Sequence, residues 1–97
     1  MPQYLRAISQ GKYDEAVKAY DEAIGINPKD AESWNSRGLA LLNQNKYEEA
    51  IKAFDKAIDL NQKLAAAWYN KGNALGSQGK YNDALEALEK SIELNPL

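Results

Sequence analysis

Cysteine and histidine are both missing from the 97 residues of this chain. Without cysteine there can be no disulfide framework, no thiolate zinc site and no cysteine nucleophile. Without histidine the chain lacks the side chain best suited to proton transfer near neutral pH, which is also the commonest metal ligand. We therefore expect a protein that is not an enzyme, with no catalytic residue, no metal site and no cofactor.

Long apolar runs and a strong net charge are missing as well. No apolar run approaches the ~20 residues that cross a bilayer, and the N-terminus lacks the apolar region of a secretory signal. Twelve Lys and Arg stand against fourteen Asp and Glu, a net charge of -2, so the chain as a whole does not attract a polyanion. We expect a cytoplasmic protein with no membrane and no nucleic-acid partner.

A repeat of 34 residues runs through the sequence. Laying residues 31–63 over residues 65–97 gives fourteen identities in thirty-three positions, mostly at small or apolar residues. The spacing links Tyr13 with Tyr47 and Tyr81, Ala16 with Ala50 and Ala84, Ile24 with Ile58 and Ile92, Asn27 with Asn61 and Asn95, Trp34 with Trp68, and Gly38 with Gly72. Fixed spacing of this kind is typical of stacked repeat proteins.

Each repeat contains the pattern of two helices. In residues 31–44 the apolar and small residues recur at three and four places, and Asp30 before them can cap the helix. A second helix is predicted from about Glu48 to Leu60. Its expected buried residues are Ala50, Ala53, Phe54, Ala57 and Ile58. The spacing therefore predicts a helical hairpin that buries one face against its neighbours.

Glycine and asparagine residues lie between these helices. Asn45 aligns with Gly11 and Gly79, and these residue types tolerate the left-handed backbone that closes a helix. We therefore predict a turn at each of the three positions. Asn27 and Asn61 are expected to end the second helices, and Pro28 stops the first of them. Because Gln62 stands where a proline would be expected, that junction is predicted to be less sharply defined.

The repeat resembles the tetratricopeptide repeat family. The second unit supplies Trp34, Gly38, Tyr47, Ala50, Phe54 and Ala57, and the third supplies Trp68, Gly72, Tyr81, Ala84, Leu88 and Pro96. The resemblance implies an all-α fold, a right-handed α-solenoid of antiparallel helix-turn-helix repeats with about 2.5 to 3 repeats. One array would cover residues 1–97, with a partial first repeat at 1–30, a second at 31–64, a third at 65–97 and no C-terminal capping helix. The tryptophans are then expected in the core.

The family pattern is broken at Arg37, Lys71, Ser91 and Tyr4, and the change at Ser91 is mild. Arg37 and Lys71 stand where leucine is usual, so their aliphatic stems are expected to pack while their charges reach water. Tyr4 stands where the small glycine should be, and only Met1–Gln10 remain for the first helix of the first unit. We expect that helix to be truncated or divergent.

The resemblance implies a protein or peptide partner held in a concave groove that the first helices of the hairpins line. The implied contacts are Asn35, Leu39, Leu42, Asn43, Tyr69, Asn70, Asn73 and Ser77. Family members that bind the acidic tails of heat-shock chaperones use a clamp of basic side chains and asparagines. Here Asn70 occupies one such position, but the basic positions hold Met1, Glu32 and Ala66. Since a carboxylate would lack its cationic partners, no tight binding of such tails is expected.

Three alternatives to an adaptor remain open. The chain could self-associate as a homo-oligomer through an uncapped repeat end at Leu85, Leu88 and Ile92, where an exposed apolar strip would need covering. It could also be a scaffold kept for its foldability, either trimmed from a longer array or designed. An enzyme is the weakest alternative, because the acidic pairs stand at helix starts in repeated positions, where they complement the helix dipole.

Overall fold

The computed structural model describes the backbone of residues 3–96 and the side chains of residues 11–96. Its regular elements are α1 (Gln3–Ile26), α2 (Ala31–Asn43), α3 (Tyr47–Leu60), α4 (Ala65–Ser77) and α5 (Tyr81–Leu94). Each helix packs against the next one along the chain, and α2 also packs against α4. The predicted all-α solenoid of helical hairpins is confirmed.

The turns inside the second and third repeats form where the sequence predicts them. Asn45 has a φ of 63° and Gly79 a φ of 81°, so each adopts the left-handed backbone that ends a helix. In both turns the next residue closes the loop, since the backbone N–H of Lys46 or Lys80 donates to a carbonyl of the preceding helix at 2.9 Å. Local turn chemistry therefore sets both hairpins.

The turn predicted at Gly11 is wrong. Helix α1 runs unbroken for 24 residues from Gln3 to Ile26, so Gly11 lies inside it. A helix of that length spans about 36 Å, whereas α2 has 13 residues. The first repeat consequently holds one long helix in place of a hairpin.

Contacts in the other two hairpins give the physical reason. A Cβ added to Gly38 would lie 2.5 Å from the ring of Phe54, and one added to Gly72 would lie 2.7 Å from Leu88. Tyr4 stands one repeat before Gly38, and the residue one repeat before Phe54 is Tyr20. A hairpin in the first repeat would force two tyrosine side chains into a space that elsewhere excludes a methyl group.

The core lies between α2, α3 and α4. Phe54 and Leu41 are its largest fully buried side chains, and small residues pack around them. The five residues predicted to face the core from α3 are the five that the structure buries: Ala50, Ala53, Phe54, Ala57 and Ile58. Alanines at these positions let neighbouring helices approach closely enough to fill the interior.

The tryptophans pack beside this core and also hold the junctions between repeats. Each indole N–H donates to a junction carbonyl, Trp34 to Pro28 at 2.9 Å and Trp68 to Gln62 at 3.0 Å. Both side chains pack against a buried cluster of Ala57, Ile58 and Ala67. Both tryptophans are half-buried, so they lie at the edge of the core and not at its centre.

An asparagine builds both of these junctions in the same way. The side-chain oxygen of Asn27 accepts from the backbone N–H of Lys29 at 3.2 Å, and that of Asn61 accepts from Lys63 at 3.1 Å. The junction at Gln62 is therefore as well defined as the one at Pro28, and the opposite expectation is wrong. The asparagine turn, rather than the proline, sets the geometry.

The two basic residues in leucine positions join neighbouring repeats. Arg37 of α2 pairs with Asp21 of α1 at 2.6 Å, and Lys71 of α4 pairs with Asp55 of α3 at 2.7 Å. The expectation that these charges simply reach water is corrected, because each has a carboxylate partner on the preceding helix. Both pairs are partly exposed, so each contributes about 0.2–1 kcal/mol to stability.

Candidate functional site

Helices α2 and α4 present equivalent rows of side chains on one side of the molecule. The rows, together called the paired face here, are Glu32, Asn35, Leu39 and Asn43 on α2, and Ala66, Tyr69, Asn73 and Ser77 on α4. Residues three and four apart lie on one face of a helix. The rows are adjacent because α2 packs against α4, and the side-chain amide of Asn70 donates to the side-chain oxygen of Asn35 at 3.1 Å.

Most of the predicted contact residues lie on this face. Leu39, Asn43, Tyr69, Asn73 and Ser77 are exposed, and Asn35 is half-buried. The structure brings these six side chains together on two helices whose backbones are fixed by the core.

The two remaining predicted contacts lie between the helices. Leu42 packs against the buried cluster of Leu41, Ala50, Phe54 and Ala74. Asn70 is 9% exposed and already bonded to Asn35. Both side chains are largely taken up by contacts within the protein, and less of their surface is free for a ligand.

The chemistry of the paired face suits a peptide chain. Leu39 is 41% exposed and Tyr69 53% exposed, which leaves apolar area available for contact. The side chains of Asn43, Asn73 and Ser77 can donate to and accept from a peptide backbone. Its one charged side chain is the carboxylate of Glu32. Met1 is the third position at which a chaperone-tail clamp would need a basic side chain, and it lies outside the described residues.

A small depression that sequence reasoning missed opens between α1 and α2. Its volume is about 180 Å³, and we call it the open slot. It is lined by Tyr13, Ala16, Tyr20, Ser36, Leu39, Ala40 and Asn43. The signal in the sequence was Tyr4, which replaces the glycine that a closed first hairpin would need.

The third repeat exposes an apolar strip on α5. Leu85 is 57% exposed and Ile92 63% exposed, whereas Ile58, one repeat before Ile92, is 8% exposed. Leu88 is half-buried and lies against Gly72. Helix α4 covers the strip of the second repeat, and among residues 11–96 no helix does the same for the third.

Two structural features are absent from the described part of the chain. No helix there is long and apolar enough to cross a membrane. No group of three or more acidic side chains there comes together in a way that could hold a metal ion.

Comparisons with solved structures give close matches in fold. The second TPR of Spaghetti (RPAP3), bound to the HSP90 peptide SRMEEVD, is 32% identical with a TM-score of 0.84, and the match covers 91% of this chain and 82% of that one. The TPR2B domain of yeast Sti1, in a pHsp70 complex, is 30% identical with a TM-score of 0.85, covering 93% and 72%. MamA is 30% identical with a TM-score of 0.82, covering 87% and 49%.

Family comparisons agree with the repeat and the hairpins. A comparison with curated protein sequences gives no match. Two models described as tetratricopeptide repeat match residues 5–71 and residues 65–96. The chain therefore belongs to the tetratricopeptide repeat family.

Proposed function

We propose that this chain is a protein-interaction module that binds a peptide or a partner helix along the paired face. The observation that carries this proposal is the exposure of Tyr69 and Leu39 on neighbouring helices. Polar side chains that can bond a peptide backbone surround them. The structures of Spaghetti and Sti1 that resemble this chain contain peptide or chaperone partners, which supports a similar use of the fold. The role requires no catalytic residue.

The charge of the paired face argues against an acidic ligand. Glu32 is an exposed carboxylate and Ala66 is an exposed apolar residue at positions where a chaperone-tail clamp would need cations. A peptide carboxylate would find no charge-assisted hydrogen bond at either residue and would meet repulsion at Glu32. We therefore propose a ligand that is neutral or basic where it passes Glu32.

Peptide selection tests this proposal. A displayed library of random peptides, selected on the intact chain, should yield ligands whose binding shifts the NMR signals of Leu39, Asn43 and Asn73. Tyr69→Ala should weaken the selected ligands about tenfold, because an aromatic anchor is often a binding hot spot. Ile26→Ala is the control, since Ile26 is 86% exposed and lies at the end of α1, outside the paired face. An equal loss of peptide affinity in the two variants would contradict the assignment of the paired face as the binding site.

The peptide SRMEEVD gives a sharper test of ligand charge. Since Glu32 and Ala66 cannot pair its acidic groups, we expect calorimetry to detect no binding at micromolar concentrations. The second TPR of Spaghetti, which is bound to this peptide in its structure, is the positive control. Micromolar binding to the present chain would overturn the charge argument.

A second proposal is self-association through the exposed strip of α5. The specific observation is the contrast between Ile92 and its buried counterpart Ile58. Light scattering at increasing concentration should show a rising mass that Leu85→Glu abolishes, because a buried unpaired carboxylate is costly. Leu39→Glu is the control, at an exposed leucine on the paired face. It should give the same rise in mass with concentration as the unsubstituted chain. A mass that stays monomeric throughout would exclude this proposal.

A further inference from the structure

A cleft of about 350 Å³ opens between α3, α4 and α5, on the side of α4 that faces away from the paired face. Helix α4 lines it with Trp68, Lys71 and Leu75. Each of these residues stands two positions after a residue of the paired face. With 3.6 residues per turn, that separation places side chains on nearly opposite sides of a helix. The cleft therefore shares no residue with the paired face.

The floor of this cleft is apolar. It is formed by Ile51, Trp68, Leu75 and Ala87. Leu75 and Ala87 are buried, and Ile51 and Trp68 pack against the same buried cluster. Because the floor belongs to the core, it is held in place, and it can cover the aliphatic stem of a long side chain.

The charged side chains of the cleft are mostly carboxylates. Asp83 and Glu86 are exposed and line it from α5, one helical turn apart. Asp55 lines it from α3, and its carboxylate pairs with the amine of Lys71 at 2.7 Å. Among residues 11–96, neither Asp83 nor Glu86 forms an ion pair. Since Lys71 is already paired, the two carboxylates of α5 leave the site with a negative charge, and we call it the acidic cleft.

The same positions one repeat earlier are balanced in charge. Of the eight residues that line the acidic cleft, seven have a residue of the same chemical class 34 positions before them. The exception is Glu86, where the earlier repeat has Lys52. The acidic cleft thus holds three acids and one base. The earlier positions hold two acids and two bases, namely Asp21, Glu49, Arg37 and Lys52.

Lysines near the acidic cleft do not remove this difference. Lys52, Lys80 and Lys90 lie outside its lining, and Lys90 pairs with Glu93 at 3.6 Å. All three have a lysine 34 residues before them: Lys18, Lys46 and Lys56. The flanking lysines are therefore common to both places, and the charge reversal at Glu86 is specific to the acidic cleft.

The chemistry of the acidic cleft suits an organic cation. No group of acidic side chains in the part of the chain that the structure describes could hold a metal ion. An arginine side chain fits both halves of the site, because its stem can lie on the apolar floor and its planar guanidinium can donate to two carboxylates. The indole of Trp68 also accepts a cation, since the Lys71 amine lies 5.8 Å from its ring centroid.

We propose that the acidic cleft binds an arginine side chain presented by a partner protein. Arginine is one of the residues that contribute most to binding energy at protein interfaces. Because the acidic cleft and the paired face lie on opposite sides of α4, a partner can use the cleft while a peptide occupies the paired face. The site depends on neither of the binding surfaces proposed above.

A blocked arginine, N-acetyl-arginine methylamide, tests this chemistry. Titrated at low salt into the isotope-labelled intact chain, it should give saturable NMR shifts at the indole N–H of Trp68 and the methyl groups of Ile51 and Leu75. N-acetyl-citrulline methylamide has a similar shape without the charge. It should bind about fivefold more weakly, because it lacks charge-assisted hydrogen bonds. No saturable shift with the arginine compound, or equal affinities for the two compounds, would overturn the proposal.

Charge reversal shows where the arginine compound binds. Glu86→Lys introduces the residue type that the preceding repeat carries at Lys52, so the fold should tolerate it. It should lower the affinity for the arginine compound about tenfold, because it places like charges together. Glu89→Lys is the matched control, since Glu89 is exposed on the same helix, lies outside the lining and gives the same change in net charge. An unchanged affinity in Glu86→Lys, or equal losses in the two variants, would refute the site.

Light scattering distinguishes a partner protein from a second copy of this chain. If the arginine comes from a partner, Glu86→Lys should leave the dependence of mass on concentration unchanged. A mass that Glu86→Lys lowers would indicate a second copy in the acidic cleft and would overturn the assignment to a partner. Tyr69→Ala should leave the affinity for the arginine compound unchanged, and a loss in that variant would contradict the separation of the acidic cleft from the paired face.

Discussion

Phe54→Ala should lower the free energy of unfolding by about 3–5 kcal/mol, the usual cost of emptying a large aromatic site in a core. Phe54 is fully buried and packs with Leu41, Ala50 and Ala74. Its ring also fills the space that Gly38 leaves open. Since small domains are marginally stable, this loss is a large share of the total. Urea denaturation followed by circular dichroism measures it.

Leu88→Ala is the matched control, since Leu88 holds the same place one repeat later. It faces Gly72 as Phe54 faces Gly38, but it is half-buried at the exposed side of α5. Leu88→Ala should lower the free energy of unfolding by much less than Phe54→Ala, because solvent already reaches Leu88 and the surrounding side chains can relax. Equal losses at the two positions would contradict a core centred on α2, α3 and α4.

Gly38→Ala should also destabilise the chain, by about 1–3 kcal/mol for overpacking. Alanine is the better helix former by ~1 kcal/mol, so helix propensity alone predicts the opposite sign. The added Cβ would lie 2.5 and 2.6 Å from two ring atoms of Phe54. That ring is fully buried, so a shift of the ring would disturb the side chains packed around it. The expected effect is a lower midpoint in urea with little change in slope.

Gly25→Ala is the control for this glycine experiment. Gly25 lies in α1, and a Cβ there would meet nothing within 4 Å. The substitution should therefore raise stability by up to about 1 kcal/mol through helix propensity. Opposite signs at Gly25 and Gly38 are the expected result. If both substitutions stabilised the chain, close packing of Gly38 against Phe54 would be refuted.

Local patterns predicted most of the helical architecture. The turns at Asn45 and Gly79 depend on residues that tolerate a positive φ, and the structure shows both. The buried side of α3 follows from helical spacing, and all five of its predicted residues are buried. The side chain of Asp30 accepts a hydrogen bond from the backbone N–H of Glu32 and so caps α2, as expected. These features depend only on residues that lie within one or two helical turns of each other in the sequence.

Features that depend on residues far apart in the sequence were not predictable in this way. Gly11 has the residue type of a turn, but Tyr4 and Tyr20 would have to face each other across that hairpin, and the helix continues instead. The partner of Arg37 is Asp21 on another helix, which helical spacing cannot reveal. On the paired face, Tyr69 lies exposed as predicted, while Asn70 beside it is buried against Asn35.

The sequence by itself determined the repeat, the approximate bounds of the two helices in residues 31–60 and the family, because a 34-residue spacing and local capping encode them. Tertiary structure alone decided which repeated positions are covered. Ile58 and Ile92 occupy the same place in their repeats, yet only Ile58 lies beneath a following helix. Identical residues acquire different surroundings because burial depends on the neighbouring helix, and the uncovered positions are the surfaces left free to bind.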